Sequence, residues 1–576
     1  MDFFYKKNNK TFGGETMIGV RNVQNYIPLY RKFFELNDNN YSSINLNNSN
    51  FVSSIKERYS DNKYRINITD KSDDLIERKC FIKFSPLLDP IKYIIDKYDG
   101  ETDICELPRL TDNQCHQKML DTNNVSYVDS FFSFLSSTLL HNYNFVNGID
   151  FYGSFLGIKE NFVVNIEDEI DILNENENFH KNRDLKYNIE TETYEKLFNN
   201  STKKNKHKII LENEEDQNED ILNLSDIKDL DCLDEIFKID KQILEDITEK
   251  NEEDDKIKVN NRSESELVYE TTVKDNLSSK KRTNSSSSSC SSRSSDTNGN
   301  TDDEDNSESS TNSDDKSSSE SEEENIFIKI KEFPVQLIFL ENCNNTLDDY
   351  IENNKIRDDE WDSIILQILF SLIAYQEIFN FTHNDLHTNN IVYNITEKKY
   401  LYYRYKERHY KVPTFGKIYK IIDFGRAIYN FKGNLLCSDS FSRDGDAHTQ
   451  YNFEPYFNSN KPRLEPNYSF DLCRLGCSLF DFIIDDLEDL KKVKSPIKRI
   501  ILEWIKDDKG RNVLYKNNGE ERYPDFKLYK MIARTVHNHV PARVLENSHF
   551  EKYLIAKKRI NNPQQIINID TIPVMK

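Results

Sequence analysis

His383-Asn384-Asp385-Leu386-His387-Thr388-Asn389-Asn390, followed by Ile422-Asp423-Phe424-Gly425, is the stretch that decides how this chain is read. It supplies a carboxylate at Asp385 and two oxygen donors for a metal, Asn390 and Asp423. Phosphoryl transfer from a nucleotide needs such parts: a hard cation to neutralise phosphate charge, and a carboxylate to orient the attacking hydroxyl. The first motif alone carries little weight in a chain so rich in Asp and Asn. Its coupling to a downstream Asp-Phe-Gly, with strand-like apolar residues on both sides, gives it weight.

The rest of the composition narrows the options. The chain has 576 residues, a net charge of −23, 36% hydrophobic and 31% charged residues. That length suits one large two-lobed domain or several smaller ones. Residues 201–325 hold 35 Asp and Glu against 17 Lys and Arg, so this segment carries −18 of the total and leaves −5 for the remainder. The remainder is long enough to bury a sizeable core. The acidity argues against a nucleic-acid-binding surface spread over the molecule, and no nucleic-acid partner is expected. Nine cysteines without a Cys-x-x-Cys pair indicate neither a disulfide framework nor a zinc site, and fit a reducing compartment. Cys473 and Cys477, one helical turn apart, read as two buried small side chains. Met1 to Lys7 lack the apolar run of a signal peptide. The longest apolar stretch, Trp361 to Phe379, is broken by Asp362, Gln367, Gln376 and Glu377 and reads as a buried amphipathic helix, so no membrane partner is expected.

Six segments follow along the chain. Residues 1–45, with Tyr26, Tyr30, Phe33 and Phe34, read as an N-terminal extension packed on the domain. Residues 46–170 contain three strand patterns at Phe51–Ile55, Tyr64–Ile68 and Cys80–Phe84, a helical spacing over 126–140, and further strand patterns at Ile149–Phe155 and Phe162–Ile166. Residues 171–325 form an acidic Ser/Asp/Glu-rich insert, mostly disordered by composition, with room for a short amphipathic helix over 221–247. Ser317 to Ser321 precede Glu322-Glu323-Glu324, a setting for acid-directed phosphorylation or simply a solvated spacer. Residues 326–343 resume order, with Glu332-Phe333-Pro334 reading as a hairpin turn between two strands. Residues 344–560 are mostly helical: Thr346 caps a helix starting at Leu347, a long helix covers 360–380, and others cover 469–487, 494–506, 525–538 and 547–558. Residues 561–576 form a C-terminal tail.

This order, together with His-x-Asp-x4-Asn and Asp-Phe-Gly, resembles the protein-kinase superfamily, over roughly 50–170 and 326–555. The motif style and the Asn/Lys/Ile-rich composition resemble the serine/threonine-protein kinases of giant DNA viruses. The resemblance implies an α+β, bilobal protein-kinase-like fold, with a small antiparallel-sheet N-lobe and a helical C-lobe. The long acidic insert then lies in the N-lobe, before its last strand. It also implies an ATP- and Mg2+-dependent transfer of the γ-phosphoryl group to Ser/Thr hydroxyls of a protein substrate. Autophosphorylation of the Ser-rich insert is an option, and the expected location is intracellular, in a host cytoplasm or a virion.

By the same resemblance Asp385 is the catalytic-loop base, Asn390 and Asp423 hold Mg2+, and His387 contacts the transferring phosphate in a pH-dependent way. His383, Phe424 and Gly425 frame the loop, and Asp471 in Ser469-Phe470-Asp471-Leu472 braces His383. Lys83 matches the strand lysine that grips the α- and β-phosphates, although a solvated strand lysine would look the same. Asp129 stands where its partner glutamate is expected. It is one methylene shorter, so either the helix sits closer or the ion pair is weak. Glu341 to Cys343 correspond to the hinge that offers backbone groups to adenine.

Several features depart from the pattern. No glycine occurs between Asn47 and Ser60, and Gly13 and Gly14 lie far upstream. Asn384 replaces the arginine that usually follows the loop histidine. Lys398 to Tyr410 read as an added basic, tyrosine-rich hairpin, either open to an acidic partner or simply solvated with aromatic cross-strand pairs, and Glu465 with Arg543 as partner stands in for a missing Ala-Pro-Glu. The glycine-poor sheet keeps open a pseudokinase scaffold, and His387 a small-molecule phosphotransferase.

Overall fold

The computed structural model describes residues 5–7, 11–47, 50–198 and 326–576, apart from 71, 73, 99–102, 112, 113, 485 and 561. These residues form a mixed architecture of antiparallel sheets and helices. The principal sheet contains β1 (Val20–Gln24), β2 (Phe51–Ser60), β3 (Lys63–Thr69), β4 (Leu75–Pro86), β5 (Phe151–Asn165) and β6 (Phe327–Glu341), in the spatial order β1-β5-β6-β4-β3-β2. Tyr187–Asn188 adds a seventh, two-residue strand beside β6. Alternation along the strands sorts the faces. In β3, Tyr64, Ile66 and Ile68 are buried, and in β4 so are Cys80, Ile82 and Phe84. Lys83 therefore points to the opposite face from Ile82 and Phe84, towards the helix α1 (Val125–Tyr143).

The sequence reads Glu332-Phe333-Pro334 as a turn, but β6 is one unbroken strand of 15 residues. Proline is tolerated there because β4 ends at Pro86, opposite Val335. On that side Pro334 needs no ladder donor, and its carbonyl accepts the Leu87 N–H at 3.0 Å. The two strands expected at 149–155 and 162–166 are likewise one strand, β5, because its partner β6 runs the whole length.

Order also continues past residue 171, where the composition changes. Helices Ile170–Asn174, Glu177–Asn182 and Thr191–Phe198 pack around the buried Leu173, Phe179 and Tyr187. The helix considered over 221–247 and the serines at 285–321 lie outside the described residues.

The helical half contains α2 (Leu347–Asn353), α3 (Asp358–Phe379), α4 (Phe470–Ile483), α5 (Pro496–Trp504) and α6 (Lys527–Thr535). Thr346 caps α2 by accepting the Asp349 N–H at 3.1 Å. Helix α3 is long and apolar enough to cross a membrane by length and composition, but 94% of its apolar window is buried, so it is the core helix of this half. Gly476 lets α4 and α5 approach closely, since a Cβ there would lie 3.1 Å from both Ile505 and Trp504. The segment expected to be helical over 547–558 forms only short 3-10 turns, Ser548–Tyr553 and Lys557–Arg559.

Small sheets complete the fold. β7 (Ile391–Ile395) pairs with β10 (Lys417–Ile421), and β8 (Tyr400–Tyr405) forms a hairpin with β9 (Arg408–Pro413). After Gly425 come β11 (Ile428–Phe431) and β12 (Asn434–Cys437), a second hairpin. The tail returns as β13 (Ile566–Asn568), parallel to β8. The basic hairpin is consequently less open than its sequence suggests. Arg404 pairs with Asp570 and Lys406 with Glu546.

Candidate active site

Asp385, Asn390 and Asp423 come together because β7 and β10 pair directly after the loop. Ile391 lies opposite Ile421, and the Ile422 N–H donates to the Asn390 carbonyl at 3.0 Å, which sets Asn390 beside Asp423. The Asn390 amide nitrogen donates to the Asp385 carbonyl at 2.9 Å and lies 3.0 Å from His387 Nε2. Its Oδ1 accepts no hydrogen bond from the described residues. Asp471, on the first turn of α4, accepts the backbone N–H groups of His383 and Asn384, each at 2.9 Å. His383 Nε2 reaches the Ile422 carbonyl at 2.9 Å, so the loop is tied to the residue before Asp423.

Lys83 Nζ lies 2.8 Å from Asp129 Oδ2 and 2.9 Å from Asp423 Oδ1. Asp129 Oδ1 meanwhile accepts the Phe424 N–H at 2.9 Å. The shorter side chain is thus accommodated by a helix that sits close in. Phe424 is fully buried against Phe132 of α1, with ring centroids 4.6 Å apart, and beside Phe381 and His383. This packing fixes Asp423, whose φ of 62° is unusual for a non-glycine residue.

The charges are arranged so that each stays ionised or neutral for a reason. Burial alone would lower the Lys83 ammonium, but Asp129 and Asp423 outweigh it and hold the value above the usual lysine range. Burial pushes Asp129 up. It acts on Asp423 too, but there Lys83 prevails and the carboxyl is held low. Burial would also raise Asp385. Arg426, then His387 and Arg474, and the Tyr529 hydroxyl bring it below the ordinary carboxylate value.

His387 is pushed down to about 4 by burial, only partly opposed by Asp385. It is therefore neutral near pH 7 and gains charge only towards pH 4. Among the described residues no group of three or more His, Cys, Asp or Glu could hold a metal ion. Asn390 and Asp423 instead supply two hard oxygen ligands, which fits a cation such as Mg2+ that takes most of its shell from water and phosphate.

In the segment expected to be the hinge, the Glu341 carboxylate is occupied by Lys420, by Asn394 Nδ2 at 2.6 Å and by the Asp150 N–H at 2.7 Å. Only backbone remains for a ligand. The backbone N–H and C=O of Cys343 have no hydrogen-bond partner among the described residues. The turn nearest Lys83 joins β2 and β3 at Asp61-Asn62, and the Asn62 carbonyl accepts the Ile82 N–H at 2.8 Å. Gly13 and Gly14 lie against Ser53 to Ile55 of β2, not at this turn. Glu465 pairs with Arg463, not with Arg543.

Several residues in or near the site carry no local sequence signal. Tyr529 donates its hydroxyl to Asp385 Oδ1 at 2.8 Å and accepts from Arg474 Nε at 2.9 Å. Buried Arg426, directly after Gly425, lies 3.9 Å from Asp385 Oδ2 and 2.6 Å from Asp446. Asp439 accepts the Val125 N–H at the start of α1 at 2.9 Å and Lys118 Nζ at 2.5 Å. The cluster Ser438-Asp439-Ser440 after an apolar strand is a local turn signal, but nothing in the sequence points to its partner.

No family model matches the chain. Over 196 residues it is 28% identical to "Putative serine/threonine-protein kinase R301" of Acanthamoeba polyphaga mimivirus, a span of 32% of this chain and 46% of that protein. The chain thus matches about half the length of that curated relative.

Proposed function

We propose that this chain is a divergent protein kinase, transferring the γ-phosphoryl group of ATP to Ser/Thr hydroxyls of a protein substrate with Mg2+. In this reading β1–β6 and α1 form an N-lobe, the helical half a C-lobe, and the two close on the nucleotide. The observation that carries it is the continuous chain from Lys83 through Asp129 and Asp423 to Phe424, set beside a loop braced by Asp471. A lysine held between two carboxylates is placed to grip phosphate oxygens, and Asp423 with Asn390 would hold the Mg2+. When bound, that ion neutralises the charge of the phosphates.

Asp385 orients the acceptor hydroxyl and takes its proton, being ionised at neutral pH. Neutral His387 fixes the Asn390 amide, leaving the Asn390 carbonyl oxygen for the metal. The backbone of Cys343, without a hydrogen-bond partner among the described residues, takes the hydrogen-bonding edge of the adenine. The serine-rich segment before residue 326 is a candidate acceptor in the same chain. The host cytoplasm or the virion is the candidate location.

The full chain incubated with labelled ATP, Mg2+ and casein or histone is expected to transfer label, and Asp385→Asn to lower kcat at least about 100-fold. Equal transfer by both proteins would end the reading. The glycine-free turn at Asp61-Asn62 favours a second reading, a scaffold that does not transfer phosphate. A chain whose Tm does not respond to ATP with Mg2+ would favour it.

A further inference from the structure

Tyr529 lies 144 residues from Asp385 in sequence, on α6, and no motif predicts their meeting. Its ring is 4% exposed. It stacks on Phe526 with centroids 5.3 Å apart and an interplanar angle of 19°. The guanidinium carbons of Arg474 and Arg426 lie 5.2 and 5.5 Å from the ring centroid. A buried tyrosine needs one hydrogen-bond partner to be satisfied. This one has two, both charged: it donates to Asp385 Oδ1 and accepts from Arg474. The hydroxyl is therefore polarised by the arginine towards the carboxylate, and the ring is clamped so that it cannot follow a rotating Asp385.

The two oxygens of Asp385 are thus made unequal. Oδ1 is held by Tyr529 at hydrogen-bond distance. Oδ2 has Arg426 only at 3.9 Å, too long for a hydrogen bond. Resting on the kinase reading above, we infer that Tyr529 is a positioning residue that reserves Oδ1 and presents Oδ2 of Asp385 to the acceptor hydroxyl. In the step this serves, Oδ2 takes the hydroxyl proton as the acceptor oxygen bonds to the γ-phosphorus. The bond from that phosphorus to the β–γ bridging oxygen breaks, and its electron pair leaves with ADP.

The test compares the full chain with Tyr529→Phe in ATP- and Mg2+-dependent phosphorylation of casein across pH. The variant is expected to lose about 10- to 100-fold in kcat with KM for ATP within about twofold. The acidic limb of its pH profile should move upward, because the lost hydrogen bond favours ionised Asp385. Arg426, His387 and Arg474 act on that carboxylate in the same sense as the hydroxyl, while Asp423 and Asp471 oppose them, and all are unchanged in the variant. In an Asp385→Asn background the same replacement should change residual kcat by no more than about twofold. Arg474→Lys, which keeps the charge but breaks the Nε contact, should move kcat and the limb in the same direction by less, and it covers the case in which Tyr529→Phe does not fold.

An active wild type with unchanged kcat and pH limb in Tyr529→Phe would overturn the role of Tyr529 alone. So would an equal loss in the Asp385→Asn background, which would mark a structural effect. A wild type that transfers nothing would overturn the kinase reading and this inference with it.

Discussion

Individual residues in the site owe their behaviour to neighbours more than to type. Asn384 stands where an arginine is expected, and its side chain is wholly consumed inward. Its amide donates to Thr382 and to the Arg426 carbonyl at 2.9 Å, and its Oδ1 accepts the Tyr451 hydroxyl at 2.8 Å. Its φ of 64° is one that asparagine tolerates better than most residues. His387 allows a sharp prediction. Its folded value of about 4 lies below the ordinary 6.5, so the unfolded chain takes up the proton first as pH falls. Its contribution to stability is complete above pH 6.5 and is lost progressively towards pH 4, about 3 kcal/mol in all. Replacing His387 by Gln, which keeps an acceptor for Asn390, should flatten the pH dependence of urea stability over that window. A slope identical to wild type would show that the ring titrates normally.

At the scale of elements, the loop between β12 and α4 is fixed to the start of α1 by Asp439 and to Arg426 by Asp446. Asp439 holds the start of α1, its backbone N–H donates to the Asn123 carbonyl at 2.7 Å, and Asp446 pairs with Arg426. Asp439→Asn leaves Lys118 without its partner and should cost on the order of 2 kcal/mol. On the proposed kinase reading it should also loosen α1, so that ATP with Mg2+ raises Tm less than in wild type. An unaltered denaturation midpoint and nucleotide response would remove Asp439 from this role.

What the sequence revealed at this scale follows from locality. The loop from His383 to Asn390 and the Asp423 turn are short contiguous patterns, and α1 and α3 have long regular spacings, so both kinds were legible. Asp439, Arg474 and Tyr529 act across 314, 55 and 144 residues of separation and have no periodicity to betray them. Pro334 misled in a different way. Its turn signal is sound locally and is overridden only because β4 stops one residue short of it.

Across the whole molecule, the N-terminal extension and the tail act as straps. Phe33 stacks on Phe131 of α1 with centroids 4.9 Å apart and meets Phe431 of β11 at 5.6 Å, joining the helix to the hairpin that follows Gly425. In the tail, Ile567, Ile569, Ile572 and Met575 are buried. Met575 donates its N–H to the Ile378 carbonyl at 2.9 Å and accepts from Lys432 at 2.8 Å. Truncation after residue 565 should lower Tm on the order of 10 °C, read by calorimetry. A shift of a degree or less would mean that the tail only rests on the surface.

The N-terminal stretch has another effect. Gly13 bridges to Ser54 on the outer side of β2, and β1 covers the outer side of β5. One run of about a dozen residues therefore covers the β5 flank of the principal sheet and meets the β2 flank at Ser53 to Ile55, leaving residues 56–60 of β2 exposed. On the β5 side, what remains outermost is β1 itself, five residues with an irregular register, a poor template for another chain to extend. Edge-to-edge pairing on that flank is thereby discouraged by the same residues that pack the N-terminal extension onto the sheet.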